Sequence, residues 1–148
     1  MSSTVISFQN VSFSYTNSES SSLSNITLDI KKGECVLLCG ASGCGKTTVT
    51  RLINGLIPHY YEGELSGSVN VCEVDIKNTP IEKVSEQVGS IFQNPMSQFF
   101  CVDTDSEIVF GCENMSLHEE EIRQRLERTV KRFSLQNLQG RSIFELSG

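Results

Sequence analysis

Residues 40–48, Gly-Ala-Ser-Gly-Cys-Gly-Lys-Thr-Thr, constrain the fold of this chain more than any other stretch. They match the phosphate-binding pattern G-x-x-x-x-G-K-[S/T] at every fixed position. The apolar run before them, residues 36–39, is typical of a strand buried on both faces of a parallel sheet. After them, apolar residues recur at helical spacing and predict a helix from about Lys46. Strand, loop and helix therefore follow in the order that a phosphate-binding loop requires.

The loop's composition suits anion capture by main-chain amides. Gly40, Gly43 and Gly45 allow positive φ and a close approach to a ligand, so that successive N–H groups can face one anion. The N-terminus of the following helix adds unpaired amides and the positive end of its dipole. Lys46 is predicted to reach the β- and γ-phosphates, and the Thr47 hydroxyl to bind magnesium. The alternative is a glycine-rich loop that only turns the chain.

Length, charge and cysteine spacing exclude several other classes. The 148 residues suffice for one domain with a real core, and the net charge of -6 argues against binding to a nucleic-acid backbone. No apolar run is long enough to span a bilayer. The six cysteines include no C-x-x-C pair, which favours reduced, non-ligating thiols in a cytosol.

Alternating apolar residues predict an antiparallel β part near the N-terminus. The alternation runs through residues 6–15 with a slip at 9–10, which indicates one or two strands with a bulge or tight turn, and it resumes at residues 26–30. A short hairpin is predicted at residues 69–76. Later, residues 88–92 read as another buried strand.

A helical or mixed segment and one long helix are predicted in the last third of the chain. Residues 105–110 begin a helical or mixed segment. Ser116 and Glu119 form a capping-box pattern that predicts the start of a long helix with an apolar stripe reaching Phe133. Its many charges are most simply a solvated face.

Two further side chains stand where a nucleotide would be contacted. Tyr15 ends a strand before a polar, serine-rich loop and could stack on a purine, although position alone favours an ordinary core or surface tyrosine. Gln93 follows the strand at residues 88–92, at the sheet edge where open α/β sheets bind ligands. Its amide could contact magnesium or place a water. The alternative, that Gln93 only caps the loop, is equally compatible with the sequence.

The order of these motifs resembles that of the ATP-binding subunits of ABC transporters. Tyr15, residues 40–48, Gln93 and residues 146–148 are similar to the A-loop, Walker A, Q-loop and first part of the LSGGQ signature of that family. The resemblance spans essentially the whole chain. Four ordered motifs are far more specific than Walker A alone.

Two segments resemble those of one subgroup within this family. Residues 93–100 and 110–114 look like those of the ATPases of energy-coupling factor (ECF) transporters, which import vitamins and metal ions. The implied fold is an α/β P-loop NTPase of the ABC type, with an N-terminal antiparallel β part, an incomplete parallel core sheet and a helical subdomain. Residues 1–98 would form the β-subdomain and the first part of the P-loop core, residues 99–146 the helical subdomain, and residues 146–148 the start of the signature.

The resemblance implies ATP and Mg²⁺ as cofactors. By it, Tyr15 stacks on adenine, Thr47 and Gln93 bind magnesium, and Lys46 and Gln93 have catalytic roles. The implied nucleotide contacts are Tyr15, Gly40, Ala41, Ser42, Gly43, Cys44, Gly45, Lys46, Thr47, Thr48, Ser147 and Gly148.

The resemblance also implies partners and a location. The family closes two ATPase subunits, identical or different, head to tail around two nucleotides, so Ser147 and Gly148 would face the γ-phosphate held by the partner. Transmembrane subunits choose the cargo, and the ATPase lies in the cytoplasm on the inner face of the membrane. Neither nucleic-acid binding nor a membrane span in this chain is expected.

The sequence also departs from the family pattern. It stops within the signature and contains no Walker B aspartate, catalytic glutamate or switch histidine. We therefore expect a fragment that preserves the binding half of an ATP-hydrolysing transport subunit. The alternatives are a nucleotide-binding fragment that does not hydrolyse alone and another P-loop NTPase, such as a GTPase or small-molecule kinase.

Overall fold

The computed structural model describes residues 3–18 and 20–146, which form two compact units divided between Ser90 and Ile91. The elements of the first unit are β1 (Thr4–Tyr15), β2 (Leu23–Lys31), α1 (Lys46–Ile53), α2 (Leu56–His59), β3 (Gly63–Val71), β4 (Val74–Asp75) and α3 (Ile81–Ser85). The elements of the second unit are α4 (Thr104–Asn114), α5 (Glu119–Phe133) and 3-10 turns at Pro95–Gln98, Gln136–Leu138 and Ile143–Glu145. The division expected between residues 98 and 99 stays a prediction.

The strands of the first unit form an antiparallel sheet in the order β2-β1-β3-β4. The central strand β1 shifts register against both neighbours near Asn10, whose φ is +51°, so the slip in the sequence pattern is a bulge within one strand. Gly67 of β3 packs against this bulge. A Cβ at Gly67 would lie 2.5 Å from the carbonyl oxygens of Gln9 and Asn10, so no side chain fits there.

One apolar core joins this sheet to the helices of the first unit. Phe8, Val11 and Phe13 of β1 are fully buried, and Leu52 of α1 is buried in the same cluster. Burying an aliphatic or aromatic side chain of this size contributes roughly 1.5–3 kcal/mol. The helix predicted after the glycine-rich loop is therefore confirmed, and its apolar side holds it to the sheet.

In the second unit, the long helix does not begin as predicted. Helix α5 begins at Glu119, and Ser116 does not cap it: Ser116 has a φ of +52° and its N–H donates to the carbonyl oxygen of Glu113, so it closes the turn after α4. The predicted capping box is wrong. Along the predicted apolar stripe, Val130 is 4% exposed but Phe133 is 64% exposed. Among the described residues, no helix is both long and apolar enough to cross a bilayer.

The two segments predicted as parallel core strands, residues 36–39 and 88–92, are not strands. Leu37 is 84% exposed and Ile91 is 91% exposed. A parallel strand obtains its ladder of hydrogen bonds from neighbouring strands, and no strand within residues 3–18 and 20–146 pairs with either segment. The predicted antiparallel part does form, because its strands pair with one another.

Candidate nucleotide-binding site

The glycine-rich loop enters α1 by a tightly packed path. Gly43 and Gly45 have φ values of +80° and +92°. A Cβ at Gly45 would lie 2.6 Å from the carbonyl oxygen of Ser22, and one at Gly40 would lie 2.5 Å from Cys44 Sγ. Side chains at these two glycines would therefore displace their neighbours, whereas the space beside Gly43 is open.

The backbone amides of the loop and the first turn of α1 provide unpaired donors. Within the described part of the chain, no acceptor takes a hydrogen bond from the N–H groups of Ser42, Gly43, Gly45, Lys46 and Thr47. The Cys44 amide instead donates to the carbonyl oxygen of Ala41, at 3.4 Å. Unpaired donors at a helix N-terminus favour an anion, and the helix dipole adds to the attraction.

The ammonium group of Lys46 lies against the same loop. Its Nζ donates to the carbonyl oxygens of Gly40, at 2.9 Å, and Ala41, at 2.7 Å, and lies 3.6 Å from Cys44 Sγ. Among the described residues, no carboxylate forms an ion pair with Lys46. Because hydrogen bonds between two charged groups are stronger than those to neutral carbonyls, a phosphate oxygen would compete well for this ammonium.

The donor set fits a Mg²⁺-bound nucleoside triphosphate. The unpaired amides and Lys46 suit phosphate oxygens, and the exposed hydroxyl of Thr47 is a ligand of the hard-oxygen type that Mg²⁺ takes. These residues are consecutive, so the geometry of one loop and one helix positions them together.

Tyr15, the last residue of β1, contacts α1 directly. Its hydroxyl lies 3.2 Å from Thr48 Oγ1 and accepts a hydrogen bond from Arg51 Nη1 at 2.9 Å. The Arg51 guanidinium lies over the Tyr61 ring, 3.9 Å from its centroid, and the Tyr15 and Tyr61 rings meet edge to face. The structure thus brings Tyr15 to the helix that follows the glycine-rich loop. The sequence reasoning missed Arg51, whose only signal is a basic residue in the last turn of α1.

Three other predicted site residues lie outside the described part of the first unit. Gln93 belongs to the second unit, where it is exposed in a bend just before the 3-10 turn Pro95–Gln98. Asn94 caps that turn by accepting from the N–H of Met96 at 3.2 Å. Ser147 and Gly148 lie outside the described residues. The roles predicted for Gln93, Ser147 and Gly148 stay predictions.

The second unit also contains an apolar cavity of ≈ 170 Å³. Its walls include Phe99, Ile108, Leu138 and Ile143, and none of the described residues predicted to contact the nucleotide lines it. The cavity is therefore lined by residues of the second unit, whereas the glycine-rich loop belongs to the first unit.

Comparisons with known proteins identify the family. The ABC transporter family model matches residues 23–148, so the chain belongs to the ABC transporter family. An ABC transporter ATP-binding protein of Treponema denticola is 55% identical over 144 residues, which are 97% of this chain and 29% of that protein. One of Methanosarcina mazei is 40% identical over 144 residues, 97% of this chain and 24% of that protein. The chain spans less than a third of the length of these relatives.

A solved structure supports the fold in detail. The structure of cbiO1 from Clostridium perfringens, part of the ABC transporter complex cbiONQ, matches with a TM-score of 0.82 at 28% sequence identity. The match covers 97% of this chain and 56% of that one. The predicted ABC-type nucleotide-binding fold is confirmed, and so is the resemblance to the ATP-binding subunits of ABC transporters, including those of the ECF type.

Proposed function

We propose that this chain is the ATP-binding half of an ATPase subunit that energises an ABC importer of the ECF type, whose cargo is a vitamin or a metal ion. The observation that carries the proposal is a set of loop amides that have no acceptor among the described residues, joined by the Lys46 ammonium at the N-terminus of α1. These amides belong to Ser42, Gly43, Gly45, Lys46 and Thr47. The relatives and the match to cbiO1 support it.

Each part of the site has a distinct task in this proposal. The loop amides bind the β- and γ-phosphate oxygens, and Lys46 exchanges its two carbonyl partners for them. Thr47 and Gln93 would hold Mg²⁺, which when bound neutralises charge developing on the phosphates. Tyr15 provides a ring for adenine. The reaction is an in-line attack of water on the γ-phosphate, assisted mainly by positioned donors.

The remaining contacts come from a second ATPase subunit. Ser147 and Gly148 would face the γ-phosphate bound by that partner in a head-to-tail dimer. Transmembrane subunits would complete the importer, and the ATPase would sit on the cytoplasmic face of the membrane.

For the 148-residue chain by itself we propose binding without turnover. The sequence holds the phosphate loop but no Walker B aspartate or catalytic glutamate pattern. Residues 36–39, which lead into the loop, are not held in a sheet. Because a loop whose leading segment is not paired in a sheet loses more conformational entropy when it binds, we expect weak affinity.

Equilibrium binding of a fluorescent ATP analogue in the presence of Mg²⁺ tests this proposal. A charge-assisted hydrogen bond contributes roughly 1.5–3 kcal/mol, so Lys46→Ala should weaken binding by about tenfold or more. Lys77→Ala is the matched control, because Lys77 is an exposed lysine of the same unit. Competition by unlabelled ATP but not by GTP is expected.

Two results would contradict the proposal. Equal affinity in the Lys46→Ala and Lys77→Ala variants would show that the loop does not hold the phosphates. Displacement by GTP as effective as by ATP would favour a different class of P-loop NTPase.

A further inference from the structure

Arg51 occupies a position that none of the nucleotide-binding motifs includes. It lies one helical turn after Thr47 on α1 and is half-buried. Its guanidinium contacts two aromatic residues outside α1: Nη1 donates to the Tyr15 hydroxyl at 2.9 Å, and the group lies 3.9 Å from the centroid of the Tyr61 ring. Among the described residues, no carboxylate forms an ion pair with Arg51.

The contact with Tyr15 continues into the first turn of α1. Arginine carries only donors, so the Tyr15 oxygen is the acceptor and can give its own proton to Thr48 Oγ1, 3.2 Å away. Thr48 is 5% exposed, which keeps this hydrogen bond away from competing water. Arg51 and Thr48 therefore hydrogen-bond the same hydroxyl from two successive turns of one helix.

The ring of Tyr15 is also held by its aromatic neighbours. Phe13 meets it edge to face with centroids 4.8 Å apart, and Tyr61 meets it edge to face at 6.3 Å. Because Arg51 stacks on Tyr61 while it binds the Tyr15 hydroxyl, one guanidinium fixes both tyrosines. Lysine would not reproduce this arrangement, since it lacks the planar group that stacks and donates at once.

We propose that Arg51 is a positioning residue for the base end of the nucleotide: it clamps Tyr15 to α1, so that the adenine-stacking ring and the phosphate loop are carried by the same helix. This inference rests on the proposed function, because it assumes that Tyr15 receives adenine. A ring already held in place loses little freedom when a base stacks on it, and the clamp thereby raises affinity for the base.

The test separates the base end of the ligand from its phosphate end. Affinities for Mg-ATP and for inorganic tripolyphosphate are measured on the full chain for the wild type, Arg51→Gln, Tyr15→Phe, the double variant and Lys46→Ala. Arg51→Gln should weaken ATP binding by about fivefold to tenfold, at the lower end of the range of a base–aromatic stacking contribution, and leave tripolyphosphate binding unchanged. Arg51→Lys should lie between Arg51→Gln and the wild type.

The double variant and the lysine variant give independent checks. If Arg51 acts through the Tyr15 hydroxyl, Tyr15→Phe combined with Arg51→Gln should bind ATP no more weakly than the weaker single variant. Lys46→Ala should lower the affinity for both ligands. If Lys46→Ala binds both ligands as tightly as the wild type, the proposed function is contradicted. If Arg51→Gln loses affinity for ATP but not for tripolyphosphate, the positioning role of Arg51 is supported.

A nucleotide-free measurement keeps the inference falsifiable on its own. The chain has three tyrosines, so NMR of a tyrosine-labelled sample resolves each ring. Arg51→Gln should shift the ring signals of Tyr15 and Tyr61 and leave those of the exposed Tyr60 unchanged. Unmoved Tyr15 signals, or equal losses of ATP and tripolyphosphate affinity in Arg51→Gln, would overturn the proposal.

Discussion

Alanine substitutions at Gly43 and Gly45 should have very different costs, although both glycines have positive φ and lie two residues apart. At Gly43, φ is +80° and a Cβ would meet nothing within 4 Å. At Gly45, φ is +92° and a Cβ would lie 2.6 Å from the Ser22 carbonyl oxygen and 2.8 Å from Leu23 Cδ2. The pair therefore separates backbone strain from overpacking.

The magnitudes follow from these two contributions. Left-handed backbone costs a non-glycine residue roughly 1–2 kcal/mol, and the reduced entropy of the unfolded chain offsets about 0.4–1 kcal/mol. Gly43→Ala should therefore cost about 1 kcal/mol. Overpacking adds roughly 1–3 kcal/mol, so Gly45→Ala should cost about 2–4 kcal/mol. Ser22 cannot easily move away, because its N–H donates to the Phe13 carbonyl oxygen at 2.8 Å.

Urea unfolding followed by tyrosine fluorescence measures this difference. The chain has no tryptophan, and all three of its tyrosines lie in the first unit, so the signal reports on the unit that contains the loop. The expected result is a lower free energy of unfolding for Gly45→Ala than for Gly43→Ala. Equal free energies for the two variants would refute the argument that Gly45 is required by close packing against Ser22.

Three further predictions concern the neighbouring contacts and the chain's activity. Tyr15→Phe should destabilise the chain by about 1–3 kcal/mol, because it leaves the buried Thr48 hydroxyl unpaired. Adding Thr48→Val should restore part of this loss, as measured by urea unfolding. A double variant that is less stable than Tyr15→Phe would contradict this. The Ser106 N–H, followed by its hydroxyl, lowers the pKa of Asp103, so Asp103 contributes stability above the usual carboxyl pKa, and that stability is lost as pH falls through the lowered value. Unfolding curves of the wild type and Asp103→Ala should therefore converge in acid, and a constant gap would count against this linkage. Steady-state phosphate release should not exceed that of Lys46→Ala, and robust turnover that depends on Lys46 would disprove the incomplete-site argument.

Local patterns predicted the elements whose partners are close at hand. The alternation through residues 6–15 and its slip both appear in β1, because a strand that is buried on one face must alternate and a bulge must break the alternation. The helix after the glycine-rich loop was predictable for a similar reason, since its apolar spacing buries Val49 and Leu52 against the sheet.

The failures concern features that depend on distant partners. Residues 36–39 and 88–92 have the composition of buried strands, but composition does not supply the neighbouring strands that would pair with them. Conversely, β3 begins at Gly63, before the predicted hairpin at residues 69–76, because β1 pairs with it as far as Tyr15. The bond between Arg51 and Tyr15 joins residues 36 positions apart and has no sequence signature.

The central claim is that backbone amides of one loop form the anion site, and an amide NMR titration tests it most directly. Adding tripolyphosphate or Mg-ATP to a ¹⁵N-labelled chain should shift the N–H signals of Gly43, Gly45, Lys46 and Thr47, which have no acceptor among the described residues. The same titration of Lys46→Ala should require more ligand. If the ligand binds while these four signals stay in place and signals elsewhere move, the assignment of the phosphate site is wrong.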